Sequence, residues 1–454
     1  MKTRDLSTII KAYDIRGVVP DDFDEDIARD LGAAFAQLAA TPAIVTAHDM
    51  RESSVPLSRA FAEGVLSQGV DVVEAGLGST DMLYFASGSL DLPGAMFTAS
   101  HNPARYNGIK LCRAGATPIG VDTGLLEIRR LAETGPLQPA PRLGRASTKD
   151  MLDPYAAFLR GLVDLRSIRP LRVVVDAGNG MAGYTVPAVL TDLPLTLIPM
   201  YFELDGDFPH HEANPLDPAN LVDLQAKVRE VGADVGLAFD GDADRCFVID
   251  ERGAPVSPSA VTALVAVREL AKHPGAAVIH NLITSQAVPE IVAEHGGQPV
   301  RTRVGHSYIK AEMARTNAVF GGEHSAHYYF RDFWRADTGM LAAMHVLAAL
   351  GGQKRPLSEL AAEYERYAAS GEINSTVDDP VASSAAVEKL FAARSGAEID
   401  RLDGLTVSFP DSSWFNVRAS NTEPLLRLNV EAPERARMEQ LRDEVLEVVR
   451  DQTA

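Results

Sequence analysis

Strand-like apolar runs alternate with amphipathic, alanine-rich stretches along the chain, and this alternation constrains the fold more than any other feature. Strands are predicted by short apolar runs at Thr41–Ala47, Gly69–Glu74, Leu171–Asp176 and Asp234–Phe239. Helices are predicted by apolar residues at helical spacing in Asp26–Ala40, Leu57–Ser67, Leu221–Val231 and Ser259–Lys272. Strands that alternate with helices predict α/β units with largely parallel sheets.

Three turn-rich segments divide the chain into four parts. They lie at 135–147, 251–255 and 368–380, and each is rich in Gly, Pro or small polar residues. A chain of 454 residues holds roughly two to four domains at about 100–200 residues each. We therefore expect domains at 1–147, 148–252, 253–367 and 368–454.

The charge and cysteine content exclude several classes of protein. A net charge of -19 argues against binding to nucleic acid or to an anionic membrane. The two cysteines, Cys112 and Cys246, have no metal-ligand spacing and indicate no disulfide framework. The sequence shows neither an apolar stretch long enough to cross a bilayer nor the apolar core of a signal peptide. We therefore expect a cytoplasmic protein.

A short apolar run ends abruptly in the stretch GAMFTASHNP at residues 94–103. Ser and Asn favour caps and turns, and Pro follows turns, so an ordinary loop is one interpretation. His101 adjoins Ser100, however, and Lys110 follows a few residues later. A nucleophilic hydroxyl needs a proton acceptor and a group that stabilises the anion it carries. Ser100 is therefore a candidate nucleophile.

Three carboxylates, Asp240, Asp242 and Asp244, occupy every second position directly after a predicted strand. Clustered carboxylates repel one another unless a cation lies among them, and oxygen-only ligands select Mg²⁺ or Ca²⁺. An EF-hand is rejected because Arg245 stands where that loop requires Gly. We predict a cation site at the end of a strand, with a solvated acidic turn as the alternative.

A glycine-rich stretch at 176–183, DAGNGMAG, contains the pattern G-x-G-x-x-G after a predicted strand. Glu203 lies where a ribose-binding acid would be expected in a dinucleotide site. A lone fingerprint is weak, and Pro187 is expected to interrupt the helix that would carry the pyrophosphate. We interpret the stretch as a structural turn and keep a dinucleotide-dependent oxidoreductase as an alternative.

Polar side chains alternate in the segment GGEHSAHYYF at 321–330. Glu323, Ser325 and His327 would share one side of an extended segment, where their polar atoms suit sugar hydroxyls. A polar-faced edge strand is the alternative. Upstream, Arg303 and His306 add a cation and an imidazole.

A basic, hydroxyl-rich stretch follows near residue 420. Its small hydrogen-bonding residues are flanked by two arginines: Arg418, Ser420, Asn421, Thr422 and Arg427. Backbone amides, hydroxyls and an arginine fork make a phosphate cradle. A turn that closes a strand is the alternative.

Taken together, these motifs resemble the α-D-phosphohexomutase family, whose members isomerise hexose 1- and 6-phosphates. Five motifs occur in the family's order: KAYDIRG at 11–17, TASHNP at 98–103, DGDADR at 240–245, GEHSAH at 322–327 and RASNTEP at 418–424. They span nearly the whole chain. The chain is most similar to the bacterial phosphomannomutase and phosphoglucomutase branch.

The resemblance implies four domains around a central cleft. Three would be mixed α/β domains with a similar core, and a smaller C-terminal α+β domain would grip phosphate. Ser100 would carry a phosphoryl group, and Mg²⁺ would be bound by a phosphoserine oxygen with Asp240, Asp242 and Asp244.

The resemblance also implies three further groups of site residues. The transfer site would be lined by Arg16, His101, Lys110 and Arg245, with Lys110 and Arg16 as candidates for proton movement. The sugar would be held by Glu323 and Ser325, with Arg303, His306 and His327 nearby. The phosphate that is not reacting would be held by Arg418, Ser420, Asn421, Thr422 and Arg427.

The activity implied is a phosphomannomutase that uses a phosphoserine, Mg²⁺ and a hexose 1,6-bisphosphate activator, with glucose phosphates as further substrates. A phosphoglucomutase, a phosphoglucosamine mutase and a serine-phosphorylated sugar phosphatase are the alternatives. The expected partner is a sugar phosphate, and the expected assembly is a monomer or homodimer.

Overall fold

The computed structural model describes residues 5–11, 13–419 and 425–451, with only the backbone described at 306 and 451. Within these residues the strands form four sheets, each built from one consecutive stretch of the chain. Three mixed α/β units precede an α+β unit, so the predicted fold class is confirmed. The first three sheets are mixed rather than largely parallel, and the fourth is antiparallel. The four stretches are called the first to fourth units below.

The first unit contains β1 (Ile15–Val18), α1 (Glu25–Ala39), β2 (Ala43–His48), α2 (Ser54–Ser67), β3 (Asp71–Leu77), α3 (Thr80–Leu90), β4 (Gly94–Phe97), β5 (Tyr106–Arg113), β6 (Thr117–Pro118), α4 (Leu125–Glu133) and β7 (Ala146–Thr148). Its strand order is β1-β5-β4-β2-β3-β7, with β6 beside β5. Strands β4, β2, β3 and β7 run parallel, whereas β5 is antiparallel to both β4 and β1.

The second unit contains α5 (Leu152–Leu162), β8 (Leu171–Asp176), α6 (Ala182–Leu190), β9 (Leu195–Met200), α7 (Val222–Val231), β10 (Val235–Phe239), β11 (Cys246–Asp250) and β12 (Pro255–Val256). The third contains α8 (Pro258–Lys272), β13 (Ala277–Asn281), α9 (Ala287–Glu294), β14 (Gln298–Thr302), α10 (His306–Thr316), β15 (Phe320–Gly322), β16 (Tyr328–Phe330), β17 (Ala336–Asp337), α11 (Gly339–Gly351) and α12 (Leu357–Ala362).

The first three sheets share one arrangement of strands. The order β3-β2-β4-β5-β1 in the first unit corresponds to β9-β8-β10-β11-β12 and to β14-β13-β15-β16-β17. In each sheet a parallel strand (β4, β10 or β15) is followed by a loop and then by an antiparallel strand. The loops at 98–105, 240–245 and 323–327 therefore occupy equivalent positions at the carboxyl ends of parallel strands, where ligands bind in α/β sheets.

The fourth unit contains β18 (Ala368–Thr376), α13 (Pro380–Phe391), β19 (Glu398–Asp400), β20 (Leu405–Ser408), β21 (Trp414–Ala419), β22 (Leu425–Ala432) and α14 (Arg435–Asp451). Its sheet is antiparallel throughout, in the order β18-β22-β21-β20-β19. The segment 368–380, expected as a turn-rich boundary, is largely the strand β18. Its polar residues are tolerated because an edge strand exposes side chains to water.

The fourth unit has a hydrophobic core that is separate from the core shared by the other three. One apolar cluster runs through the first three units, with members such as Met96, Val173 and Phe320. The fourth unit has a core of its own, formed by side chains such as Phe415 and Leu441. A cavity of about 470 Å³ lies between the third and fourth units.

All four predicted helices and all four predicted strands are present, with bounds that differ by at most three residues at either end. The largest differences are at α2, which begins at Ser54 rather than Leu57, and at β3, which ends at Leu77 rather than Glu74. The expectation that Pro187 interrupts a helix is wrong, because Pro187 lies inside α6. Proline at that point removes only one backbone hydrogen bond, to Gly183, from a short helix. None of the described helices is long and apolar enough to span a bilayer.

Candidate active site

Ser100 lies in the loop between β4 and β5, in a strained backbone conformation. Its φ angle is 50°, in the left-handed region, which costs an L-residue roughly 1–2 kcal/mol. The Ser100 amide donates to the Thr98 hydroxyl at 2.9 Å, and the residue is only 5% exposed. The loop therefore fixes the direction of the Ser100 side chain instead of leaving it mobile in solvent.

The strained loop is held by Arg51, which lies in the segment between β2 and α2. Its guanidinium donates to three backbone carbonyls of the loop, those of residues 100, 102 and 103, and to that of residue 106 at the start of β5, at 2.7 to 3.0 Å. The Arg51 Nε lies 3.2 Å from Asp49 Oδ2, and both side chains are buried. Because one rigid donor group satisfies four carbonyls, Arg51 fixes the shape of the Ser100 loop.

The Ser100 loop meets the acidic loop of the second unit. Ser100 Oγ donates to Asp240 Oδ2 at 2.9 Å. A Cβ atom at Gly241 would lie 2.4 Å from the Ser100 carbonyl oxygen, which is closer than real contacts allow. Glycine is therefore required at 241 for the two loops to approach this closely.

The three aspartates predicted from the sequence are brought together and buried. Asp240, Asp242 and Asp244 each place a carboxylate oxygen within 4.8 Å of the others. Lys110 Nζ bridges two of them, at 2.7 Å from Asp242 Oδ2 and 2.6 Å from Asp244 Oδ2. Arg245 Nε lies 2.9 Å from Asp240 Oδ2. Three carboxylates are thus faced by two closely bound cations.

The three buried aspartates differ in their pKa values because the neighbouring cations stabilise them to different extents. Burial raises the pKa of Asp240 well above its ordinary value, against the opposing effect of Arg245. Burial and Asp244 also act to raise the pKa of Asp242, but the charge of Lys110 and the hydrogen bonds from Lys110 and Thr80 together lower it. Burial acts to raise the pKa of Asp244 as well, and Lys110 again lowers it. Asp242 and Asp244 are therefore held as carboxylates.

The cluster has the donor set of a hard-cation site. Among the described residues, the Oδ1 atoms of Asp242 and Asp244 are buried and accept no hydrogen bond. Buried carboxylate oxygens without donors are unfavourable unless a cation contacts them. Oxygen ligands alone suit Mg²⁺ or Ca²⁺ rather than a softer metal. The residues therefore fit a bound divalent cation.

The α3 N-terminus supports the same loop. Thr80 donates twice to Asp242, from its amide to the carbonyl at 3.0 Å and from its hydroxyl to Oδ2 at 2.5 Å. The positive end of a helix dipole stabilises a carboxylate at this position. Thr80 thus holds Asp242 in its ionised form and in one orientation.

His101 lies in the Ser100 loop and contacts the acidic loop as a neutral imidazole. Its Nδ1 is 2.6 Å from Arg245 Nη2 and 3.2 Å from Ser100 Oγ. Burial, together with the positive charge of Arg245, lowers the pKa of His101 well below its ordinary value. Because Nδ1 faces a guanidinium, it accepts a hydrogen bond, and His101 adds no positive charge.

Lys110 and Arg16 differ in how they are held. Burial acts to lower the pKa of Lys110, but Asp242 and Asp244 outweigh it and raise that pKa well above its ordinary value. Lys110 is therefore a fixed cation. The Arg16 guanidinium, at the antiparallel strand β1, donates to Asn102 and pairs with Asp14, so it lies against the Ser100 loop from the first unit.

The segment 323–327 is a tight turn between β15 and β16, not the extended segment expected from its alternating polar residues. The amide of Glu323 donates to the carbonyl of His327 at 3.0 Å, and Ala326 has a φ angle of 63°. The turn nevertheless gathers the predicted side chains. Ser325 Oγ lies 2.9 Å from His327 Nδ1, which is 3.6 Å from Glu323 Oε2.

Glu323 is held firmly within this turn. Tyr329 donates its hydroxyl to Glu323 Oε2 at 2.7 Å, while Asn281 and the amide of Gly305 donate to Oε1 at 3.3 and 3.2 Å. The turn also adjoins the acidic loop, because Arg245 and His327 form a backbone bridge. The loops of the second and third units are therefore joined directly.

The other predicted sugar contacts lie at the start of α10. Arg303 lies over the Tyr308 ring, 5.0 Å from its centroid, and the amide of Val304 donates to Asp403 of the fourth unit at 3.1 Å. His306 is the first residue of α10, and its side chain lies outside the description. Tyr13, which contacts the Tyr308 ring edge-on, brings the first unit to the same place.

The predicted phosphate cradle is partly described. Arg418 and Arg427 are directly opposite each other on β21 and β22. Ser420, Asn421 and Thr422 fall outside the described residues, so their predicted contacts stay predictions.

The glycine-rich stretch at 178–183 has a structural use. A Cβ at Gly180 would lie 2.7 Å from the Gly241 carbonyl, and the Met181 amide donates to that carbonyl at 2.9 Å. The stretch therefore packs beneath the acidic loop and supports it, in agreement with the structural interpretation.

Arg51 and Thr80 were missed by the sequence analysis. A signal exists for Arg51, because Asp49 and Arg51 follow the apolar run of β2 as the three aspartates follow β10. The equivalent position at the end of a parallel strand could have marked them. Thr80 carries no comparable signal, since a threonine at the start of a helix is common.

Models of one family match most of the chain, in four consecutive ranges. They are phosphoglucomutase/phosphomannomutase α/β/α domains I, II and III, at 7–137, 153–253 and 257–367, and the C-terminal domain at 372–448. The chain belongs to the phosphoglucomutase/phosphomannomutase family. It is therefore an enzyme, a phosphohexomutase that transfers phosphate intramolecularly in the isomerase class.

Individual members of the family are similar over nearly their full length. A phosphomannomutase of Salmonella typhimurium is 42% identical, covering 94% of this chain and 95% of that protein. A Xanthomonas campestris protein named phosphohexose mutases is 41% identical, covering 93% and 94%. A crystal structure of a phosphoglucomutase/phosphomannomutase family protein from Burkholderia thailandensis superposes with a TM-score of 0.89 at 32% identity, covering 98% and 97%.

Proposed function

We propose that this phosphohexomutase is a phosphomannomutase that interconverts mannose 6-phosphate and mannose 1-phosphate, with glucose phosphates as further substrates. The proposal rests chiefly on one observation: the buried Ser100 hydroxyl lies 2.9 Å from Asp240, at the edge of the acidic cluster. The names of the relatives favour mannose phosphates as the principal substrates.

Ser100 is proposed to carry the phosphoryl group. The group passes from Ser100 to the free hydroxyl of the substrate, which gives a hexose 1,6-bisphosphate and leaves the serine hydroxyl. The bisphosphate turns end for end, and its other phosphoryl group returns to Ser100. Phosphoryl transfer depends mostly on positioning and charge neutralisation, and both are provided by the Arg51-held loop and the surrounding cations.

Asp240, Asp242 and Asp244 are proposed to hold Mg²⁺ together with an oxygen of the phosphoserine. When bound, the ion neutralises charge on the transferring phosphoryl group. Lys110 and Arg245 add fixed positive charge beside it, and His101 accepts a hydrogen bond near the reacting oxygen. Arg16, on β1, adds a third positive charge near the Ser100 loop. Its part in proton movement stays a prediction.

The substrate is proposed to be held at two further places. Glu323 and Ser325, with Arg303, His306 and His327 nearby, would contact sugar hydroxyls. Arg418, Ser420, Asn421, Thr422 and Arg427 would hold the phosphate that is not reacting. Because the bisphosphate reacts in two orientations, the distal site must accept either phosphate.

The carrier role is tested by Ser100→Ala, with the exposed Ser89→Ala as the matched control. Conversion of mannose 1-phosphate, assayed with the hexose 1,6-bisphosphate activator, is expected to fall at least about 1,000-fold, because the covalent route is removed. Intact mass measurement should show one phosphoryl group on wild type and on Ser89→Ala but not on Ser100→Ala. Near wild-type turnover by Ser100→Ala would refute the assignment.

The substrate preference is tested by comparing mannose, glucose and glucosamine phosphates in one assay with the same activator. The highest kcat/KM is expected for mannose phosphates. Release of inorganic phosphate faster than isomer formation would favour a phosphatase instead.

A further inference from the structure

Two like charges face each other in the proposed distal phosphate site. Arg418 and Arg427 are cross-strand neighbours on β21 and β22, an arrangement that destabilises a sheet unless an anion lies between the charges. Among the described residues, the Nε atom of each arginine is buried without a hydrogen-bond partner. An anion bound between the two guanidiniums would therefore stabilise the pair.

A resident anion partly meets this demand. Glu372 lies on β18, the next strand of the same sheet, and its carboxylate is 3.4 Å from Arg427 Nη1 and 3.8 Å from Arg418 Nη2. These distances exceed the 2.7–2.9 Å of a charge-assisted hydrogen bond. Glu372 thus sits between the two guanidiniums without engaging either one closely.

The backbone directs Glu372 to this position. The pairing of β18 with β22 shifts register between Ala369 and Glu372, and Gly371 in between has a φ angle of 69°. A β-bulge of this kind turns a side chain away from its regular direction. Glu372 also acts on His324: burial lowers the pKa of His324, and the Glu372 charge opposes that shift. Glu372 therefore lies at the seam between the distal site and the turn at 323–327.

We infer that Glu372 is a built-in competitor of the substrate's phosphate, a carboxylate that occupies the Arg418–Arg427 pair and limits how tightly a phosphate binds there. The inference rests on the proposed function of this pair. A phosphate that enters the site must share the arginines with Glu372 or displace it, so the affinity is lower than two arginines alone would give.

Limited affinity has a use in the proposed reaction. The bisphosphate must leave the distal site, turn and bind again before the second transfer. Binding that stabilises the intermediate too strongly slows this step without helping the chemistry. Glu372 would therefore set the balance between holding the intermediate and letting it turn.

A purely structural role makes the opposite prediction. If Glu372 only holds the two arginines in place, its removal lets them separate and phosphate binds more weakly. The sign of the change in affinity therefore separates the two roles.

The test replaces Glu372 by Gln, with Glu447→Gln as the matched control. Glu447 is exposed on α14 of the same unit, and both substitutions remove one negative charge. Binding of inorganic phosphate and of mannose 6-phosphate is measured by titration calorimetry on the full chain, in a Ser100→Ala background that prevents turnover. E372Q is expected to bind both ligands about tenfold more tightly, and E447Q to bind them as before.

Steady-state kinetics with Ser100 intact provide a second readout. E372Q is expected to lower both KM and kcat several-fold, because the intermediate leaves more slowly. Unchanged or weaker binding by E372Q would overturn the inference, and so would an equal gain in E447Q. A third variant, Arg427→Gln, distinguishes failure of the inference about Glu372 from failure of the proposed function. If Arg427→Gln leaves phosphate binding unchanged, the distal site itself is wrongly assigned.

Discussion

The two proposed phosphate sites, at Ser100 and at Arg427, are built in different ways. Ser100 lies in a buried, strained loop whose carbonyls are fixed by Arg51, and it contacts a loop from another unit. Arg427 lies on a strand of a unit with its own core, its side chain is 31% exposed, and its nearest described counter-charge is 3.4 Å away. The proposed phosphoryl-transfer site is thus held by buried contacts, whereas the proposed distal site is partly exposed and more loosely paired.

The site at Ser100 is called the rigid site below, and the site at Arg427 is called the adjustable site. The largest effect is expected from loosening the rigid site. Arg51→Lys keeps a positive charge near Asp49 but replaces a planar fork that reaches four carbonyls with a single ammonium group. We expect kcat to fall about 100-fold, because a displacement of about 1 Å in a reacting group costs about that factor. KM should change little.

Arg59→Lys, on the exposed side of α2, is the control for Arg51→Lys and should behave as wild type. A kcat for Arg51→Lys within about threefold of wild type, in a folded protein, would show that Arg51 does not position the loop. The comparison between a rigid and an adjustable site would then lose its main support.

The second effect concerns the unfolding free energy and its dependence on pH, because a carboxyl group is buried near the rigid site. Asp81, in the first turn of α3, accepts hydrogen bonds from Tyr155 and Thr338, and burial raises its pKa to about 6. The folded state therefore binds a proton more tightly than the unfolded state does. The contribution of Asp81 to stability is greatest below about pH 4 and is lost as the pH rises to about 6.

The full change would be about 3 kcal/mol, since one pKa unit corresponds to about 1.4 kcal/mol. Denaturant unfolding of wild type and Asp81→Asn between pH 4 and 7 measures it. The difference in unfolding free energy between the two should vary with pH in this window. A pH-independent difference for Asp81→Asn would contradict the assignment.

The smallest effect is expected at the adjustable site. Arg427→Gln removes a charged hydrogen-bond donor worth about 1.5–3 kcal/mol, so KM for mannose 1-phosphate should rise about 10- to 100-fold while kcat changes by only a few-fold. Arg435→Gln, exposed on α14, is the control. A fall in kcat with KM unchanged would show that this end also takes part in the chemical step.

The sequence predicted those parts of the molecule that depend on local pattern. The strands, the helices and the acidic cluster follow from apolar spacing and from charges placed directly after an apolar run. The shared strand order of the first three sheets could not be read from the chain, because it is a repeat of topology and not of residues. The position of Arg51 after β2 was a signal, but its role could not be predicted, because its partners lie about fifty residues away and are backbone carbonyls that any sequence possesses.

Two local predictions failed where tertiary contacts outweigh pattern. The segment 368–380 was expected to be rich in turns, but pairing with β22 makes its first nine residues a strand. The alternation of Glu323, Ser325 and His327 suggested extended backbone, whereas the antiparallel pairing of β15 with β16 forces a turn between them. In both cases the conformation depends on a partner strand, and neither partner strand was predicted from the sequence.

The backbone bridge between Arg245 and His327 has a consequence for how such an enzyme can diversify. If the turn at 323–327 holds the sugar as proposed, a substitution that adapts it to a different sugar is expected to shift the acidic loop as well, because this bridge joins the two. Substrate range and turnover would then be inherited as linked traits. New specificities should emerge in lineages through paired substitutions on both sides of this bridge, with the single intermediates less fit than either end point.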